Sequence, residues 1–109
     1  MREQKRDIIY AEDTQKRLQA AACTFDNKHM KRISMLYVKP EARMQKVATR
    51  LVEHCFNVLG TDKPGFSVQD KSLDSFLPLI QRFGWTEVAR TPPNKFGMRE
   101  VYFNQGPTP

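Results

Sequence analysis

A turn that leads from an apolar strand into one amphipathic helix constrains the fold of this chain most. The strand ends before Pro40, and beyond it apolar residues recur at spacings of three and four as far as Leu59. This period is typical of a helix with one buried face. Gly60 and Pro64 then mark the end of the helix and the reversal of the chain. The apolar residues of the helix are Val47, Ala48, Leu51, Val52, Cys55, Phe56 and Leu59.

Shorter apolar runs predict the remaining elements on either side of this helix. Strands are expected at 7–13, 33–38, 65–69, 85–91 and 99–105, and a second helix is expected between Ser72 and Gly84. Pro78 is expected in the first turns of this second helix, where proline is tolerated. The segment 17–25 fits a short helix or a strand, and its alanines favour the helix. Read as a strand, it completes the order β-β-β-α-β-α-β-β of a mixed α/β sheet.

The length and composition of the chain indicate one globular domain. The 109 residues suit a single hydrophobic core, so we expect one domain over 1–109 with frayed ends at 1–6 and 106–109. No apolar run approaches the roughly 20 residues of a membrane span, and the charged N-terminus does not resemble a secretory signal. These features predict an intracellular protein, cytoplasmic by default, that does not bind membranes.

The net charge and the cysteine and histidine residues indicate which kinds of partner and metal site the chain could have. The net charge of +6 suits nucleic acid, an acidic protein tail or a phosphate-bearing cofactor, and it equally fits an ordinary basic surface. Cys23 and Cys55 are far apart in sequence and are interpreted as buried thiols. His29 and His54 have no nearby ligand partners, so no metal site is predicted.

The segment 36–51 carries the most specific motif of the chain. Its strand Leu36-Tyr37-Val38 is followed by Lys39-Pro40-Glu41, and then by Arg43-Met44-Gln45-Lys46-Val47-Ala48-Thr49 at the start of the helix. This pattern resembles the signature of the acyl-CoA N-acyltransferase (GNAT) superfamily, in which a Val-x-Pro-Glu-like turn precedes Arg/Gln-x-x-Gly-x-Gly/Ala. Arg43, Ala48 and Leu51 match the signature, whereas Lys46 stands at the first glycine.

The resemblance implies an acetyl-CoA site at this turn. The first turn of a helix leaves backbone N–H groups unpaired, and with the positive end of the helix dipole they bind phosphate oxygens. Small residues let a pyrophosphate approach these amides, and this explains the family's two glycines. The Lys46 side chain either obstructs the turn or supplies charge to the phosphate. The expected cofactor-binding residues are Leu36, Tyr37, Val38, Arg43, Met44, Gln45, Lys46, Val47, Ala48 and Thr49.

The catalytic groups of the family are only partly present. Many members carry a tyrosine acid in the second helix, where this chain has Leu79 and Ile80, and a carboxylate base on the third strand, where 32–36 has none. The segment around Asp70, with Asn94 and Phe96, is loosely similar to the tubulin-lysine acetyltransferase branch. That similarity implies an acceptor-site role for Asp70, and a helix-cap or turn role is the alternative.

Two functions of different classes remain open from the sequence. One is an N-acetyltransferase that moves an acetyl group from acetyl-CoA to an amine, such as a protein lysine, by direct attack of the neutral amine. The other is a catalytically inactive module that keeps the fold and binds a protein or nucleic acid. The chain is too short for the family's usual first strand and two helices, which form one wall of the acceptor groove. A second copy or a partner chain would then complete this wall.

Overall fold

The computed structural model describes residues 5–27 and 29–107, except for the side chains of 43–45. The strands are β1 (Lys5–Glu12), β2 (Leu18–Asp26), β3 (Lys31–Val38), β4 (Gly65–Gln69), β5 (Glu87–Arg90) and β6 (Glu100–Phe103). The helices are α1 (Val47–Leu59) and α2 (Leu73–Phe83), and 3₁₀ turns span Pro40–Gln45 and Asp70–Ser72. The predicted element order and the α/β class are confirmed. The ambiguous segment 17–25 is the strand β2.

The described residues form two compact units, one ending at Pro64 and one beginning at Gly65. In the first unit, β2 pairs antiparallel with β1 on one side and with β3 on the other. Alternate residues of β2 are buried, among them Ala20, Ala22 and Thr24. Helix α1 packs against β2, and small side chains on this face let the helix backbone approach the sheet closely. Packing against α1 therefore outweighs the helix propensity of the alanines.

Helix α1 spans the residues that its periodicity predicts. Leu51, Val52, Cys55 and Leu59 form its buried face, and Gly60 ends it in the left-handed region at φ 73°. The Lys31 ammonium of β3 donates a 2.7 Å hydrogen bond to the Leu59 carbonyl. This contact satisfies one of the carbonyls that the end of a helix leaves without a partner. It also ties the end of α1 to the start of β3.

The opposite face of the first unit carries exposed apolar side chains. The pairing of β2 with β3 shifts by one residue at Ser34, because Cys23 lies opposite Met35 while Thr24 lies opposite Ile33. This bulge turns Ile33 towards the core and Met35 outwards. Cys23 lies on the outward face and is only partly buried, so the prediction of two buried thiols holds for Cys55 alone. The exposed large apolar residues of this unit are Ile8, Tyr10, Leu18, Met35 and Tyr37.

The second unit is organised around an aromatic cluster. Its central strand β6 pairs antiparallel with β4 and with β5. The Phe66 ring lies 5.7 Å from Phe76 of α2 and 5.2 Å from Trp85 between ring centroids. Trp85 is buried in this cluster. Pro78 lies inside α2 rather than at its start, because the helix begins at Leu73.

Candidate functional site

The turn between β3 and α1 is built by short backbone hydrogen bonds. The Lys39 N–H donates to the Gln19 carbonyl at 2.8 Å, which holds the end of β3 against β2. Pro40 opens the 3₁₀ helix Pro40–Gln45, and its fixed φ suits the first position of a helix. The Ala42 N–H then donates to the Lys39 carbonyl at 2.9 Å. The chain is thereby directed into α1 through a tight and regular turn.

Lys46 joins the 3₁₀ helix to α1 in a glycine-like conformation. Its φ of 61° and ψ of 16° lie in the left-handed region, which side chains with a Cβ rarely adopt. The residue is exposed, and its side chain makes no cap hydrogen bond to the start of α1. Lys46 therefore keeps the backbone that a glycine would give at this position, and the chain accommodates the side chain by a strained φ.

The start of α1 has the electrostatics of an anion site. The Arg50 N–H donates to the Lys46 carbonyl at 3.2 Å, so the amides of Val47, Ala48 and Thr49 precede the first helical hydrogen bond. No acidic residue occupies this first turn, although carboxylates are favoured there. Lys46 and Arg50 are instead both exposed cations at this end of the helix. Amides, helix dipole and side-chain charge thus all favour a bound anion.

The other predicted cofactor residues differ in what the structure shows. Val38 is buried, Leu36 is half-buried, and Tyr37 is 47% exposed on the outward face of β3. The side chains of Arg43, Met44 and Gln45 lie outside the described part of the structure, and their backbone belongs to the 3₁₀ helix. Arg50 was not among the predicted residues. Its helical spacing of four from Lys46 is the signal that could have found it.

Asp70 follows β4 in the second unit and is half-buried. Its N–H donates to the Arg99 carbonyl at 2.9 Å. The pKa of Arg90 is raised chiefly by its hydrogen bonds to Glu87 and to a lesser degree by the Asp70 charge. Asp70 therefore belongs to a turn whose backbone is joined to the residue before β6. Ser72 stands at the N-cap of α2, and its side chain makes no cap hydrogen bond.

Asn94 and Phe96 lie in the loop between β5 and β6. The Asn94 side-chain oxygen accepts hydrogen bonds from the N–H groups of Phe96 at 2.8 Å and Met98 at 3.1 Å. This amide organises the loop that leads into β6. Phe96 is exposed, with the Lys95 ammonium 5.2 Å from its ring centroid.

In the part of the chain that the structure describes, three or more metal-ligand side chains do not cluster anywhere, and no helix is long and apolar enough to span a membrane.

Comparison with protein families identifies the fold. The acetyltransferase (GNAT) domain family matches residues 1–101. The chain belongs to the GNAT acetyltransferase family. GNAT domains generally bind an acyl-CoA thioester, and the turn before α1 is the segment of this chain that resembles the GNAT signature.

Solved structures agree with this assignment at the level of the fold. An acetyltransferase from Bacillus cereus is similar with a TM-score of 0.74 and 10% identity, over 92% of this chain and 71% of that one. The apo form of YjaB from Escherichia coli is similar with a TM-score of 0.67 and 12% identity, over 88% of this chain and 62% of that one. No curated protein matches the chain significantly. At such identities the structures establish the GNAT fold alone.

Proposed function

We propose that this GNAT domain transfers an acetyl group from acetyl-CoA to a primary amine, with the turn between β3 and α1 holding the pyrophosphate. The observation that carries the proposal is the left-handed backbone of Lys46 at the position of the family's first glycine. A turn that had lost its phosphate-binding shape would not need this strained conformation. The amides of 47–49 follow it directly and would receive the phosphate oxygens.

The charges near the turn support an anionic donor. Coenzyme A carries a pyrophosphate and a further phosphate, and exposed cations at Lys46 and Arg50 complement them. A cation near such a site contributes about 0.3–1 kcal/mol when it is solvent-exposed. Lys46 is therefore proposed to assist binding through its ammonium while its backbone keeps the glycine conformation.

The proposed reaction is direct attack of a neutral amine. Acetyl-CoA, when bound, supplies an activated acetyl thioester. The amine nitrogen forms a bond to the acetyl carbon, the carbon–sulfur bond breaks, and the sulfur gains the proton that the nitrogen loses. Holding the two groups together supplies much of the rate, since effective molarities reach about 10⁵ M or more. Asp70 is proposed to bind the incoming ammonium at the acceptor site and to take up the proton that it loses before attack, which then passes to solvent; the proton that the sulfur gains is a second one, lost after the bond to the acetyl carbon has formed.

A protein lysine is the acceptor we favour. A lysine side chain presents a primary ammonium on a flexible stem, and the carboxylate of Asp70 would attract that charge. The loose similarity of the segment 69–72 to the tubulin-lysine acetyltransferase branch also supports a lysine acceptor. Small amines are the other members of this substrate class, and an acceptor screen separates the two.

The competing function is a GNAT-fold module that binds a protein or nucleic-acid partner without catalysis. Lys46 at the glycine position favours it. So do Leu79 and Ile80, which occupy the helix that bears the tyrosine acid in many family members. Both are buried hydrocarbon side chains and cannot donate a proton. Under this alternative, the strained turn would be a remnant of an ancestral cofactor site.

An acetyl-transfer assay with matched variants tests the proposal. The wild type is incubated with acetyl-CoA and a panel of lysine peptides and small amines, and acetylated products are measured by mass spectrometry. Asp70→Asn should lower kcat by about a hundredfold or more and leave the Kd for acetyl-CoA unchanged. The control Asp74→Asn, at an exposed acid of the first turn of α2, should change neither quantity.

Three results would count against parts of this account. Equal activity of the Asp70→Asn and Asp74→Asn variants would show that Asp70 has no catalytic role and serves only in the turn after β4. Acetyl-CoA binding without turnover of any amine would refute the enzyme assignment and leave the cofactor site intact. Absence of acetyl-CoA binding would refute the cofactor site itself and favour the non-catalytic module.

A further inference from the structure

Strand β1 presents an open edge in the first unit. Among the residues that the structure describes, this eight-residue strand pairs with β2 alone and lies at the end of the strand order. The outer side of an edge strand carries N–H and C=O groups that can pair with another strand. Two apolar side chains stand at its centre, Ile8 with 73% and Tyr10 with 60% of their surface exposed. A long edge of this kind is suited to pairing with a further strand.

The charges of β1 are arranged so that the strand complements itself when it is reversed. Arg6 lies near one end and Glu12 at the other, and period-two alternation places both on the face of Ile8 and Tyr10. We propose that β1 pairs antiparallel with β1 of a second copy, about a twofold axis at Ile9. Arg6 then lies opposite the partner's Glu12, and Ile8 lies opposite the partner's Tyr10. The symmetry repeats each pair, so the interface gains two ion pairs and two apolar pairs.

Neighbouring registers lose this complementarity. A twofold axis perpendicular to the sheet keeps the outward faces of the two β1 strands on the same side of the sheet. The nearest alternative registers therefore have their axis one residue earlier or one residue later along β1. An axis at Ile8 places Arg6 opposite the partner's Tyr10. An axis at Tyr10 places Asp7 opposite the partner's Asp13 and Ile8 opposite the partner's Glu12. The axis at Ile9 is therefore the register that the charge pattern selects.

Each face of β1 has a neighbouring group that bears on the proposed pairing. On the outward face, the Arg6 guanidinium lies 4.8 Å from the centroid of the Phe25 ring of β2, and in the dimer it turns towards the open edge to meet the partner's Glu12. On the helix face, a cavity of about 210 Å³ lies beside β1. Its lining residues are Ile9, Tyr10, Ala11, Arg50, Leu51 and His54. The partner's Ile9 would stand opposite Ile9 on this face, where its side chain can cover the cavity mouth.

This inference is independent of the proposed catalytic function, because it depends only on the edge strand. Sedimentation equilibrium of the wild type should give twice the 12.7 kDa chain mass. Arg6→Glu places two carboxylates opposite each other at both ends of the interface, and Glu12→Arg places two guanidinium groups there. Each variant should raise the dimer dissociation constant by about ten- to a hundredfold. Lys95→Glu makes the same charge change as Arg6→Glu in an exposed loop and should leave the dimer unchanged.

Mixing the two variants gives the decisive result. An Arg6→Glu chain and a Glu12→Arg chain restore both ion pairs only when they pair with each other, so the mixture should form a heterodimer while each alone stays mostly monomeric. The double variant should dimerise like the wild type, and circular dichroism confirms that each variant is folded. A monomeric wild type would overturn the proposal, since the edge would then be open or covered by another strand. Dimers that persist in both single variants would overturn it too, because they would use another surface.

Discussion

Replacing Lys46 by glycine should stabilise the domain. A residue with a Cβ in the left-handed region costs about 1–2 kcal/mol, and Lys46 adopts this region at φ 61°. Glycine removes this strain, but its greater conformational freedom in the unfolded chain lowers the free energy of unfolding by about 0.5–1 kcal/mol. Because the Lys46 side chain is exposed, little packing is lost. The expected net gain is about 0–1.5 kcal/mol, and a gain of 1 kcal/mol would raise Tm by roughly 4–8 °C.

The assay compares thermal and urea unfolding of two glycine variants. Lys16 also has a left-handed backbone, at φ 64°, in the exposed turn between β1 and β2. Lys16→Gly should therefore give a similar gain in stability and no change in the Kd for acetyl-CoA. Lys46→Ala keeps the backbone strain and removes the ammonium, so it should weaken acetyl-CoA binding by about two- to fivefold. The reasoning is refuted if Lys46→Gly is clearly destabilising while Lys16→Gly is not.

Two further predictions concern the core. Leu59 lies at the end of α1 with 1% of its surface exposed, so Leu59→Ala should lower the free energy of unfolding by about 2–5 kcal/mol. The exposed control Leu18→Ala should change the free energy of unfolding by less than about 0.5 kcal/mol in the same urea titration. Burial raises the pKa of the Cys55 thiol from an ordinary 9.0 to about 11, so the unfolded chain releases this proton first and stability should fall as pH rises from about 9 towards 11. Urea titrations across this range test it, and a Cys55→Ala chain should show a shallower fall.

The apolar face and the C-terminal end of α1 could be predicted from the sequence, whereas its start after a 3₁₀ helix and the strand β2 could not. The apolar period of α1 and the left-handed Gly60 are local signals that the tertiary structure reinforces. The alanines of β2 point to helix by propensity, and only the close packing of α1 on Ala20 and Ala22 selects the strand. The bounds of α2 agree with the expected helix between Ser72 and Gly84, but Pro78 lies in the middle of that helix and not in its first turns.

The candidate site was predictable in its position and less so in its details. The motif located the turn, but it did not reveal that Lys46 has a left-handed backbone. Arg50 is an exposed cation one turn into α1 that also lines the cavity beside β1, and its place near Lys46 follows from the helical spacing more than from the motif. For Asp70, the sequence pattern did not reveal the backbone hydrogen bond to Arg99, because this contact depends on the pairing of β4 with β6.

Calorimetric titration of the wild type with acetyl-CoA tests the central claim most directly, with desulfo-CoA as a control for thiol effects. We expect the wild type to bind acetyl-CoA at one site with a micromolar Kd. Binding of desulfo-CoA should be retained, and Lys46→Ala should weaken the affinity for acetyl-CoA. Binding that appears only after Lys46→Gly would contradict the account and identify a GNAT fold whose cofactor site has closed. Absence of binding in both chains would remove the cofactor site from this turn.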